Sequence, residues 1–120
     1  MATLTVLNIA STGTAITTAS AAEAGDVFAN NAGDVFFQVT NGSGGSIDVT
    51  FTAQNTSFTN PDLGAITMDN IVVSVANGAT KMIGPFAPKV FNNSSQQVAV
   101  GYSEHTSVTV AAIRFRAHGI

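Results

Sequence analysis

The sequence predicts an all-β chain: one β-sandwich domain spanning residues 1–120, jelly-roll-like or immunoglobulin-like, with about seven to eight short strands. Three observations carry that prediction. Apolar and polar residues alternate with period two along most of the chain, as half-buried strands require. The alternating runs are filled with Thr, Val, Ile and Phe, which suit a pleated surface. Glycine, asparagine and proline fall between the runs, where the chain must turn.

The elements follow in order. Leu4 and Val6 alternate with Thr3 and Thr5, giving a first strand. The alanine- and threonine-rich stretch Ala15–Ala24 fits one helical turn, a loop or a strand. The stretch Ala24–Val39 contains the pentapeptide AGDVF twice. The first copy runs into Ala29-Asn30-Asn31-Ala32-Gly33, a turn sequence, so it is at most a short extended piece. Asp26 is expected to serve that turn, and Phe28 to anchor it to the core. The second copy leads into a strand with Val35, Phe37 and Val39 on one face, so the resemblance between the copies reads as accidental. Ile47, Val49 and Phe51 then alternate with Asp48, Thr50 and Thr52 after the loop Asn41–Gly45.

Thr52–Met68 lacks alternation and reads as a long connection, with Asn60-Pro61-Asp62-Leu63-Gly64 a turn within it. Strands are expected at Asn70–Val75 and Thr80–Ile83, with Asn77-Gly78 turning between them. Gly84-Pro85 and Ala87-Pro88 stop the second of these, because proline cannot donate to a ladder. Gln97–Tyr102 and Ser107–Phe115 complete the set.

Composition restricts function. Charged residues make up 9% of the chain, against about 25% in an average soluble domain. The net charge is −3, and the four basic residues Lys81, Lys89, Arg114 and Arg116 form no stripe, which argues against a nucleic-acid partner. There is no cysteine, hence no disulfide, thiolate nucleophile or Cys-ligated zinc. No apolar run is long enough for a membrane-spanning helix, and the start MATLTVLNIAS lacks a basic signal-peptide region, so synthesis and use without Sec export are expected.

The candidates for chemistry each have a plainer explanation. Ser103-Glu104-His105-Thr106 holds the residue types of a hydrolase triad, but neighbours on an extended chain point to alternate faces and no GxSxG elbow is present. It reads as a polar turn. His105 and His118 are too few for a histidine metal site. Asp26, Asn30, Asn31 and Asp34 are oxygen donors of the kind calcium takes, yet their spacing is neither that of an EF-hand nor that of a nine-residue solenoid repeat. The expectation is no catalytic residue, no metal and no cofactor.

Taken in order, MATLTVLNI, GDVFANNAGDVFFQVTNGSGGSIDVTFTAQ, VSVANGATKMIGPFAPKVFNN and QVAVGYSEHTSVTVAAIRF resemble small structural proteins of tailed bacteriophages, the head decoration (cement) proteins. The most distinctive elements are Lys81-Met82-Ile83-Gly84-Pro85-Phe86 with the following Phe91-Asn92, and then the strand Thr106–Ala112; Ala53–Asn70 fits least. The resemblance implies a non-enzymatic virion protein on the outer surface of the capsid. Its partners would be the major capsid protein and itself, with a homotrimer favoured over a dimer or monomer. Contact candidates are Thr3, Leu4, Thr5 and Val6, whose strand can pair with a sheet edge, and Met82, Ile83, Gly84, Pro85 and Phe86, whose turn can present an apolar knob. Each also has an internal reading, Thr3–Val6 as an ordinary first strand and Phe86 as a core plug. The alternative function is a tail or head-fibre module that binds host carbohydrate, although the chain has no Trp and only Tyr102.

Overall fold

A computed structural model describes residues 2–115, with the side chains of Phe58 and Asn60 excepted. His118 and Arg116 therefore lie outside the described residues. The strands are β1 (Ala2–Leu4), β2 (Val6–Asn8), β3 (Ala19–Ser20), β4 (Asp26–Ala29), β5 (Val35–Asn41), β6 (Ile47–Phe51), β7 (Ser57–Asn60), β8 (Gly64–Thr67), β9 (Ile71–Val75), β10 (Thr80–Ile83), β11 (Gln97–Tyr102) and β12 (Val108–Arg114). A single helical turn, α1 (Pro88–Phe91), precedes β11.

One sheet, sheet A, has the order β1-β4-β11-β6-β9. The other, sheet B, runs β10-β5-β12-β2, with β3 also on the outer edge of β12. Setting aside β1, β2 and the β7–β8 pair leaves eight strands that pair first with last: β3 with β12, β4 with β11, β5 with β10 and β6 with β9. All four pairings are antiparallel. Rolling that long hairpin so that β12 also meets β5 and β11 also meets β6 gives the two sheets. This is the pairing scheme of a jelly roll, so the all-β sandwich adopts the first of the two expected arrangements.

The additions to the roll are what strand counting could not resolve. The first strand is broken at Thr5: β1 runs parallel to β4 in sheet A, and β2 runs parallel to β12 in sheet B. One segment thus closes an edge of each sheet. The stretch read as a long connection contains the antiparallel hairpin β7–β8, whose strands pair only with each other. Its described residues are exposed on both faces, so it never needed the apolar alternation by which strands are recognised. The expected turn is there: Pro61, Asp62 and Leu63 form a three-residue loop that ends at Gly64 with φ 81°.

The core lies between the sheets. Sheet A contributes Leu4, Phe28, Val98, Val100, Val49 and Phe51, and sheet B Val35, Phe37, Val39, Val108, Val110 and Ala112. Aromatic rings run through its centre. Phe37 lies 5.6 Å from Phe28 and 5.3 Å from Phe51 between centroids; Phe86 lies 4.5 Å from Phe51 and 5.9 Å from Phe91. The Phe28–Phe37 pair is stacked and the others are tilted or edge-on, all arrangements that ring quadrupoles allow.

The two AGDVF copies turn out to be alike in backbone and opposite in phase. Gly25 and Gly33 both take positive φ (91° and 71°), and each is soon followed by a strand. A Cβ on Gly25 would sit 2.6 Å from the Val100 carbonyl oxygen, so only glycine fits that turn. In β4 the side chains of Asp26 and Phe28 face inward, whereas in β5 Val35 and Phe37 do, which sends Phe36 outward. Asp26 accordingly belongs to a strand and is fully buried, not a turn residue as its sequence context suggested. Phe28 does anchor in the core.

Candidate interaction surfaces

The sequence-predicted candidates are scattered by the fold. In the N-terminal segment Thr3 lies on the outer face of β1, Leu4 packs inward, Thr5 is exposed at the break, and Val6 packs against the core from β2. In the second segment Met82 is 53% exposed, while Phe86 is 1% exposed. Gly84 and Pro85 are exposed and Ile83 half-buried. Phe86 cannot therefore form a surface knob: it is a core plug, drawn inward because Phe28, Phe51 and Phe91 offer it apolar surface on three sides.

That inward turn is held by polar side chains. Asn30, fully buried at the end of β4, donates from Nδ2 to the Phe86 carbonyl (3.0 Å) and to Asn92 Oδ1 (2.9 Å). Asn92 Nδ2 donates back to the Asn30 carbonyl (2.8 Å). Asn41 does similar work at the other end of the sandwich, donating to the Gly45 and Val75 carbonyls (2.7 and 2.9 Å) and accepting from Ser43 N–H (2.9 Å). Buried amides so paired fix loops that apolar packing alone would leave loose.

The four oxygen donors considered for calcium have separate partners or none in common. Asp26 Oδ2 accepts from the Tyr102 hydroxyl (2.7 Å) and from Ala22 N–H (3.3 Å), Asn30 bonds Asn92, Asp34 Oδ1 lies 3.4 Å from Arg114 Nε, and Asn31 is exposed. Among the described residues no three His, Cys, Asp or Glu side chains gather. Burial, reinforced by the Asp26 carboxylate, pushes the Tyr102 phenol far above its ordinary range.

In Ser103–Thr106 the serine hydroxyl accepts from Asp48 N–H (2.8 Å), and Glu104 Oε1 accepts from the His105 and Thr106 N–H groups (2.8 and 2.9 Å). Those two backbone bonds hold the Glu104 carboxyl below its usual range. The glutamate caps its own loop, with His105 Nδ1 at 3.7 Å and both side chains exposed. His105→Ala is expected to shift stability by less than about 0.5 kcal/mol, as surface substitutions do, which urea denaturation would check.

Two broad outer faces remain. On sheet A, cross-strand rows Thr3–Val27–Ala99 and Gly101–Thr50–Val72 present short, uncharged side chains. The molecule measures 46 × 41 × 22 Å, and the short axis is that of two stacked sheets with their side chains. On sheet B the outer rows are Phe36–Ile113–Leu7 and Met82–Gln38–Ala111. There Ile9 and Ile16, from the irregular stretch after β2, stand beside Phe36, Met82, Ile113 and Phe115 and enclose a shallow groove of about 410 Å³. Met82, Phe115, Ile9 and Ile16 are each at least 40% exposed. A contiguous apolar concavity of this kind marks a contact site. Phe36 and Phe115 were invisible as surface residues in the sequence, because only the phase of β5 and the end of β12 turn them outward. A second cavity of about 410 Å³ lies beside β3, with Thr3, Thr5, Thr17 and Thr18 over Val110 and Ala112.

The chain matches no family model, no curated protein and no solved structure at a significant level.

Proposed function

We propose that this protein is a non-enzymatic capsid decoration protein, which stabilises a phage head by lying across neighbouring subunits of the major capsid protein. The observation that carries the reading is the slab shape, 46 × 41 × 22 Å, with a broad face on sheet A whose rows Thr3–Val27–Ala99 and Gly101–Thr50–Val72 are short and uncharged, Asp48 being the charge in the row beside them. A flat face with no charge in its central rows meets a protein surface without stripping water from ions. Binding only the assembled lattice stabilises it by mass action, and many copies add avidity. The resemblance of the sequence to decoration proteins points to the same lattice.

Val72, 59% exposed on β9, the edge strand of this face, is the residue to test. Wild-type protein is expected to cosediment with undecorated capsids at micromolar concentration. Val72→Arg is expected to weaken that binding at least about tenfold, the effect of burying one unpaired charge, without lowering the melting temperature. Absence of wild-type cosedimentation would overturn the proposal. Antibody labelling at a tail tip would replace it with the carbohydrate-binding module.

A further inference from the structure

We propose that Lys81 is an edge guard, which keeps β9 from pairing strand to strand with β9 of a second copy of this chain. The two sides of the sandwich are finished differently. On one side the segment that forms β1 and β2 closes an edge of each sheet. On the other, sheet A ends in β9 and sheet B in β10, and among the described residues no strand pairs with the outer edge of either.

The registers fix which backbone groups face out from β9. Asp48 N–H donates to Ser103 Oγ (2.8 Å) and the Asp48 carbonyl accepts from Ser103 N–H (3.0 Å), so Asp48 turns its backbone towards β11. Ile47, Val49 and Phe51 therefore turn theirs towards β9, where Val75, Val73 and Ile71 meet them. Val72 and Ser74 are left with N–H and C=O directed outwards. Around them Asn70–Ala76 reads NIVVSVA, rich in β-branched residues and without charge, proline or glycine. That is the composition of an edge that recruits another strand.

Lys81 stands across this edge. It lies opposite Val39 in the β10–β5 pairing, and Val39 is fully buried, so Lys81 projects from the inner face of sheet B. Because β10 is the last strand, the side chain crosses the open side of the sandwich, where it stays exposed. Its Nζ reaches the other sheet and donates to the Ser74 carbonyl (2.8 Å). An inward-facing charge on an edge strand opposes edge-to-edge pairing. Here one of only four basic residues covers the margins of both sheets.

The pairing that Lys81 opposes has a definite register. Antiparallel about a two-fold axis through Val73, two β9 strands set Val72 of each copy opposite Ser74 of the other. Each Ser74 carbonyl then accepts from the other copy's Val72 N–H, at the position where the ammonium group already sits. Closing the seam brings two like charges into it and strips them of water. The inference stands apart from the capsid reading, since the purified chain alone tests it.

Analytical ultracentrifugation of wild type, Lys81→Met and Lys81→Arg supplies that test. Methionine keeps an unbranched stem without the charge or the donors, and arginine keeps both. At about 100 µM, Lys81→Met is expected to show about twice the mean mass of wild type, and Lys81→Arg the wild-type mass. Adding Ser74→Pro to Lys81→Met removes an outward N–H without touching the β6 ladder, and is expected to restore the wild-type mass. Should that proline disturb folding, hydrogen exchange reads the seam instead. The outward amides of Val72 and Ser74 are expected to exchange at least about tenfold more slowly in Lys81→Met than in wild type. An unchanged mass in Lys81→Met, equal association of Lys81→Arg, a larger mass that Ser74→Pro leaves in place in folded protein, or exchange at the wild-type rate would each overturn the proposal.

Discussion

Phe86→Ala is expected to lower the free energy of unfolding by about 3–5 kcal/mol, the range for emptying a buried aromatic site. The ring is 1% exposed and touches Phe28, Phe51 and Phe91, with centroid distances of 5.7, 4.5 and 5.9 Å. Removing it leaves a void bounded by rings that cannot all collapse, since each belongs to a different element. The loss is large against the total, because a domain of this size holds only about 5–15 kcal/mol in reserve. Urea denaturation should show a lower midpoint at unchanged slope, the sign of a stability change without a change in the exposed surface. Had Phe86 been a surface knob, the same substitution would shift stability by less than about 0.5 kcal/mol. A near-zero value would therefore return Phe86 to the surface and remove the plug from the core.

The second large effect concerns alkaline pH. Tyr102 is the only tyrosine and the chain has no tryptophan, so its phenol can be followed by absorbance without interference. Burial, then the hydrogen bond and charge of Asp26, raise its folded-state pKa far above the ordinary phenol value of about 10. The unfolded chain releases that proton near the ordinary value and the folded chain retains it. Above pH 10 the unfolded state thus binds fewer protons, and stability falls as pH rises by about 1.4 kcal/mol per pH unit. Below pH 10 the two states hold the proton alike and the contribution is fully present. Phenolate absorbance is expected to appear only together with unfolding, in one cooperative step. A gradual rise near pH 10 in protein that keeps its circular dichroism would refute the buried pair.

Tyr102→Phe separates this effect from general alkaline denaturation. It removes the steep pH dependence and, at neutral pH, costs about 1.5–3 kcal/mol, the value of a hydrogen bond to a charged group. The loss falls on Asp26, left with only the 3.3 Å bond from Ala22 N–H while its other oxygen is already buried with no hydrogen-bond partner among the described residues.

Much of the architecture could be read from the residues, for a definite reason. Gln97–Tyr102 and Thr80–Ile83 coincide with β11 and β10 to the residue, and Ile47–Phe51 is β6. β11 and β6 have one face against the core and one away from it, so burial writes their period into the sequence, whereas β10 is exposed except at Ile83 and is delimited by Asn77-Gly78 and Gly84-Pro85. The hairpin β7–β8 went unread because its described residues are all exposed and so carry no apolar alternation. Thr5 as a break between sheets was also hidden, since alternation continues across it while the pairing partner changes from β4 to β12.

The candidate sites were less legible than the fold. Met82 was singled out and is indeed exposed, but its neighbours in the groove come from β5, β12 and the stretch after β2, far apart in sequence. Thr3 likewise reaches the outer face of sheet A only in company with Val27 and Ala99. A surface assembled from four or five segments has no local pattern to recognise.

The pentapeptide AGDVF marks the boundary. By itself the sequence determined that the second copy leads into a strand, because its alternation continues through Phe37 and Val39, and that Phe28 anchors the first copy to the core. Only the tertiary structure decided which side of each strand meets the core. The first copy enters sheet A with Asp26 and Phe28 inward, and the second enters sheet B with Phe36 outward and Asp34 beside Arg114. A shift of one residue in phase exchanges the faces of a strand, and that phase is set by partners dozens of residues away. Identical pentapeptides thus became a buried carboxylate in one sheet and the wall of an apolar groove in the other.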